Sequence, residues 1–173
     1  MEAAKLVPLP PGSISEYDKD IWDVCNLGMA AQPATGDRQL NFTRIPQHWL
    51  RQAAKQFIRY TLATLSFGSA RTRLSALKKF ATFLAQCYPL LQPIEINRAL
   101  IMQYLSYLHT CGVSSSSRAG LIGGLNSFLS LSARYGWAVL PPEPLIFRED
   151  YPRPKKQCHA TFPQKYWSNF TSI

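Results

Sequence analysis

Arg71, Ser75, Lys78, Lys79, Thr82 and Gln86 recur at spacings of one, three and four residues, and on a helix that spacing gathers them on one side. Cations interleaved with hydroxyls, with no carboxylate among them, are suited to phosphate oxygens. Each Lys or Arg near a phosphate releases condensed counterions, so binding is favourable without any base being read. The imbalance extends beyond this face: between Asp37 and Glu143 the one acidic residue is Glu95, against twelve Lys and Arg. Residues 1–43 carry a net charge of −3, residues 44–135 +10 and residues 136–173 +2. A basic surface that only maintains solubility would intersperse acids. A polyanion, and first of all nucleic acid, is the partner this pattern implies.

Other residue types able to do chemistry are scattered. His48-Trp49-Leu50-Arg51 forms a His-x-x-Arg, yet it opens a helix and lacks an upstream arginine in a domain of its own. His109 and His159 stand alone, and Cys25, Cys87, Cys111 and Cys158 include no Cys-x-x-Cys pair. Neither a metal site, a disulfide framework nor a cofactor is indicated. Tyr60, Tyr104, Tyr107 and Tyr135 are of the type that stacks on unpaired bases, but they fall on or beside apolar stripes, where packing against a core is the expectation.

The elements that must position these residues follow from periodicity. With 46% hydrophobic and 12% aromatic residues in 173, one domain with a real core is expected. Pro46 precedes Trp49, Leu50, Ala53, Phe57, Tyr60 and Leu65, which predicts a helix over 47–65. Ser69 is a candidate N-cap for a second helix running to Cys87, organised by Leu74, Leu77, Ala81 and Leu84 and stopped by Pro89. Ile101, Tyr104, Leu105 and Leu108 predict a third over 96–111, ending at Gly112. Arg98, at its start, lies away from the basic second-helix face.

Ser114 to Ser117 supply N-caps for a fourth helix, which is a simpler reading of that run than a phosphorylation cluster. Leu121, Ile122, Leu125, Phe128 and Leu129 carry this helix to Tyr135, where Gly136 stops it and Trp137 plugs the base of the bundle. Gly120, Gly123 and Gly124 weaken it by about 1 kcal/mol each relative to Ala, and leave one side bare for close approach of another backbone. The fold class expected is all-α: a four-to-five-helix orthogonal bundle over 44–140, an extended arm over 1–43, and a Pro-rich linker with a short irregular tail over 141–173.

Four helices in this order, with a basic second helix, a serine-rich entry to the fourth, and Ala133-Arg134-Tyr135-Gly136-Trp137 before a proline linker, resemble the amino-terminal core-binding domain of tyrosine recombinases, the phage-integrase family. The resemblance covers roughly residues 44–142. It implies one half of a C-shaped clamp around double-stranded DNA, with the second and fourth helices facing the duplex and other recombinase protomers as further partners. Carried over, the second-helix face becomes Ser69, Arg71, Ser75, Lys78, Lys79 and Thr82. The fourth helix contributes Ser116, Ser117, Arg118, Gly123, Asn126, Ser127, Ser130 and Arg134.

Members of that family cleave DNA through a carboxy-terminal domain bearing arginines, a lysine, histidines and a tyrosine nucleophile, whereas 19 residues follow Pro154 here. A solitary tyrosine lacks the cations that neutralise the transition state. The expectation is therefore a truncated module, non-catalytic by itself, that integrates or recombines nothing alone. With no signal peptide at the amino terminus and no apolar run of about 20 residues, it is expected in the bacterial cytoplasm at the nucleoid, with neither a membrane nor a small-molecule substrate as partner. The alternatives are a helical protein-interaction module and a non-functional recombinase remnant.

Overall fold

Among the described residues four α-helices build the molecule, and three of them begin at a capping side chain. The structure, a computed structural model, describes residues 15–28 and 38–153. Helix α1 runs His48–Thr64, α2 Phe67–Cys87, α3 Arg98–Thr110 and α4 Ser115–Tyr135. The α2 N-cap is Ser66, whose Oγ accepts from the Ser69 amide at 3.3 Å. Ser69, expected as the cap, lies in the first turn instead, because Phe67 is already helical. Asn97 caps α3 through the Leu100 amide at 3.0 Å, and Ser114 caps α4 through that of Ser117 at 3.2 Å. Gly136 closes α4 at φ 66°, a left-handed position that glycine takes without steric cost.

The core takes most of the predicted stripe residues, while Leu65 is exposed and Trp49, Tyr60, Leu105 and Leu121 are half-buried. From α1 come Leu50, Ala53, Ala54, Phe57, Ile58 and Leu62, and from α2 Leu74, Leu77, Phe80, Ala81 and Leu84. Ile101, Tyr104 and Leu108 of α3 join Leu125 and Phe128 of α4. Each large apolar side chain buried this way contributes about 1.5–3 kcal/mol. Helix α2 is central: it packs on α1, α3 and most extensively on α4. The molecule is an all-α bundle with one small ladder added.

That ladder corrects the expected extended arm. Strand β1, Ile21–Asp23, pairs antiparallel with β2, Gln39–Asn41, with Trp22 opposite Leu40. Trp22, Leu40 and Phe42 are fully buried, and the Trp22 and Phe42 rings lie 4.6 Å apart. Ion pairs hold the ladder to α1: Asp20 meets Arg51 at 2.9 Å and Lys55 at 2.8 Å, while Arg59 lies 4.5 Å over the Tyr17 ring. The remainder of the expected arm and the tail after Arg153 lie outside the described residues.

The expected linker is corrected as well for its first thirteen residues. Leu145 and Ile146 are buried. Arg98 grips the Asp150 carboxylate with both terminal nitrogens, at 2.6 and 2.7 Å, and donates to the Leu145 carbonyl at 2.8 Å. Asp150 also accepts from the Phe147 amide at 2.7 Å. Residues 141–153 thus form a strap across the bundle, since a proline-rich stretch with two apolar residues and a paired acid has enough to dock.

Candidate nucleic-acid interface

None of the four helices contains an Asp or Glu. The described acids sit in and beside the ladder, in the strap and in the α2–α3 connection, and two of them, Asp20 and Asp150, pair α1 and α3 cations. Asp20 is held below the usual carboxylate range chiefly by Lys55, and Asp150 by the Arg98 guanidinium. Arg51, Lys55 and Arg98 are consequently internal ties. Arg73 is another, its guanidinium 5.4 Å over the Phe57 ring and donating to Thr61 Oγ1 at 3.3 Å. The basic surface is narrower than the sequence count implies.

Of the other cations, Arg71 faces a hollow between α2 and α4. A groove of about 660 Å³ is lined by Gly68, Arg71, Thr72 and Ser75 on one side and Ser116, Ser117, Gly120 and Leu121 on the other. It adjoins a second hollow where Ser69 and Arg73 face Gly123, Gly124 and Ser127. No acid lines either hollow. Small residues open the groove: Gly120 has no atom within 4 Å of where a Cβ would stand. At Gly124 the helices touch, so a Cβ there would lie 2.7 Å from the Ala76 Cβ.

Seven of the expected residues therefore meet: Ser69, Arg71, Ser75, Ser116, Ser117, Gly123 and Ser127. Ser69, Ser116 and Ser117 lie in the first turns of α2 and α4, whose positive dipole ends add to the attraction for anions. Lys78 and Thr82 extend the Arg71–Ser75 stripe along α2; Thr82 is exposed, with its hydroxyl bonded to the Lys78 carbonyl at 2.9 Å. Thr72, which the sequence reading did not single out, lines both hollows. Its position directly beside Arg71 was the available signal.

Five expected residues face elsewhere. Lys79 lies 5.2 Å over the Tyr107 ring. Burial pulls its pKa down, and contacts with Cys111 and Tyr107 outweigh that and raise it. Arg118 turns toward α3, into a hollow with Met102, His109 and Asp150. Asn126 donates to the Tyr151 hydroxyl at 3.4 Å, and with Ser130 and Arg134 it faces the strap across Pro141 to Leu145. The strap claims this side of α4, which helix periodicity alone leaves open. His48 and Arg51 form no site: Arg51 is bound to Asp20 and to the Ile45 carbonyl.

Among the described residues no helix is long and apolar enough to cross a membrane, and no group of His, Cys, Asp and Glu could hold a metal ion. No family model and no solved structure matches the chain. Among curated proteins it is similar to "Transposase B from transposon Tn554" of Staphylococcus aureus strains Mu50 and N315, at 30% identity over 142 residues. "Transposase B from transposon PsiTn554" of the same species is also 30% identical over 142 residues. Each similarity covers 80% of this chain and 22% of the relative. The chain spans about a fifth of the length of the curated relatives it matches.

Proposed function

We propose that this chain binds double-stranded DNA through the α2–α4 groove, as the core-binding module of a transposase of the tyrosine recombinase kind, and that it is non-catalytic by itself. The observation that carries the reading is the groove: Arg71 and a set of serine and threonine hydroxyls, drawn from two acid-free helices, with no carboxylate in the lining. Phosphate contacts of this kind position a duplex without reading its sequence. Similarity to transposases over most of the chain supports a role in moving DNA, at the bacterial nucleoid.

The test is duplex binding as a function of salt. With about three to five phosphates neutralised, log affinity should fall against log salt with a slope of about −3 to −4.5. Arg71→Glu should weaken binding tenfold or more. Arg44→Glu, on the connection between β2 and α1 and outside both hollows, carries the same charge change and should weaken it far less. A flat salt response would favour an apolar protein interface, and equal losses in the two variants would remove the groove from the argument.

A further inference from the structure

Tyr135, expected in the core or at its edge, is 49% exposed. Its ring stacks on Trp137, with centroids 5.2 Å apart and planes 23° from parallel. Tyr60 completes the cluster at 5.5 Å from Tyr135 and 6.0 Å from Trp137, and Phe57 backs it 6.4 Å from Trp137. Tyr104, by contrast, is fully buried between Phe80, Phe83 and Tyr107. The two sets of aromatics differ in kind: one is core, the other an open shelf at the carboxy-terminal end of α4.

We propose that the Tyr60–Tyr135–Trp137 shelf stacks an unpaired nucleobase, so that the chain holds a duplex with a single-stranded extension more tightly than a blunt one. The proposal rests on the DNA-binding reading above and names a second contact for it. Charge singles out nucleic acid among the occupants of an aromatic surface. Arg73 and Arg134 both lie close enough to Tyr60 to act on its hydroxyl, and α1 and α4 contain no acid. The Tyr135 hydroxyl beside it raises the Tyr60 pKa.

Position supports the same occupant. Arg73 lines the groove and also donates to Thr61, one residue from Tyr60, so groove and shelf are joined by one side chain. Ser127 in the groove and Tyr135 on the shelf lie two turns apart along α4, about 12 Å at 1.5 Å per residue. A strand leaving the groove along α4 reaches the shelf within a few nucleotides. Aromatic rings take any base there, because every base has a π-face.

The experiment compares, for the full chain, a blunt duplex with the same duplex carrying a short oligothymidine extension. The extended probe should bind about fivefold or more tightly, within the range of stacking one base on an aromatic ring. Tyr135→Ala should abolish that advantage and leave blunt-duplex affinity unchanged, while Tyr135→Phe and Tyr135→Trp keep it. Equal affinity of the wild-type chain for both probes overturns the proposal, as does an advantage that survives Tyr135→Ala. A wild-type dimer that dissociates in Tyr135→Ala also overturns it, by making the shelf a contact between copies. If blunt duplex is not bound at all, the groove reading fails, and oligothymidine alone then tests the shelf.

Discussion

Gly124 of α4 faces Ala76 of α2 so closely that a methyl group on the glycine would stand 2.7 Å from the Ala76 Cβ, with the Arg73 Cα 3.7 Å away. The neighbours are a backbone and a Cβ that cannot rotate aside. Gly124→Ala should therefore lower stability by about 1–2 kcal/mol, overpacking outweighing the gain of about 1 kcal/mol in helix propensity. Gly120→Ala, with open space at its Cβ, should raise stability by up to about 1 kcal/mol. Urea unfolding of the two variants settles the contrast. Equal effects would mean that the helices do not meet at Gly124.

The Arg98–Asp150 pair makes the strap sensitive to acid. A carboxylate whose folded pKa is depressed adds stability that is fully present above its unfolded value, about 3.9, and is lost as pH falls through the lower folded value. Asp150→Asn should cost about 1–3 kcal/mol at neutral pH. Its deficit against the wild type should shrink as pH drops below about 4. A pH-independent gap in urea midpoints would show that the variant loses something other than this charge. Arg98 is accordingly unsuitable as a neutral charge-reversal control for DNA binding, although it lies away from the basic α2 face.

Lys78 and Lys79 are neighbours in sequence with different surroundings. The Lys79 ammonium lies over Tyr107 on α3, a contact worth about 0.5–2 kcal/mol. Lys79→Glu should lower the thermal midpoint and weaken DNA binding only modestly, whereas Lys78→Glu, on the Arg71–Ser75 stripe, should act mainly on DNA. The opposite assignment in a binding titration would place the duplex nearer α3.

The chain by itself should leave DNA uncut. Among the described tyrosines Tyr60 is influenced by two arginines, but the neighbouring Tyr135 raises its pKa, which opposes formation of a phenolate nucleophile. Incubation with a nicked duplex, followed by denaturing electrophoresis, should give no protein–DNA adduct. A phosphotyrosyl band would overturn the non-catalytic reading.

All four helices are legible from periodicity and punctuation because their signals are local. Leu74, Leu77, Ala81 and Leu84 mark a face within one helix, and Gly136 ends α4 through its own backbone freedom. The ladder is not legible, since two three-residue strands have no periodicity and their pairing of Trp22 with Leu40 is a tertiary event. The strap is hidden for the same reason: Asp150 finds Arg98 at a separation of 52 residues. Contacts of this tertiary kind also set the surroundings of the expected site residues. Periodicity separates core from surface on one helix, but it does not reveal that Asn126 meets Tyr151 of the strap or that Lys79 lies over Tyr107 of α3.

Helices without a single acid carry a consequence for the unliganded bundle. Arg71, Lys78, Lys79, Arg118 and Arg134 repel one another across α2 and α4 in the folded state, and an expanded chain relieves that repulsion. Added salt screens it, with a Debye length of about 10 Å at 0.1 M. Folding and DNA binding should thus respond to salt in opposite directions: the melting temperature rises with ionic strength while the affinity falls. A polyanion in the groove substitutes for the salt, so the chain should be most resistant to heat when bound and least resistant when alone in dilute buffer.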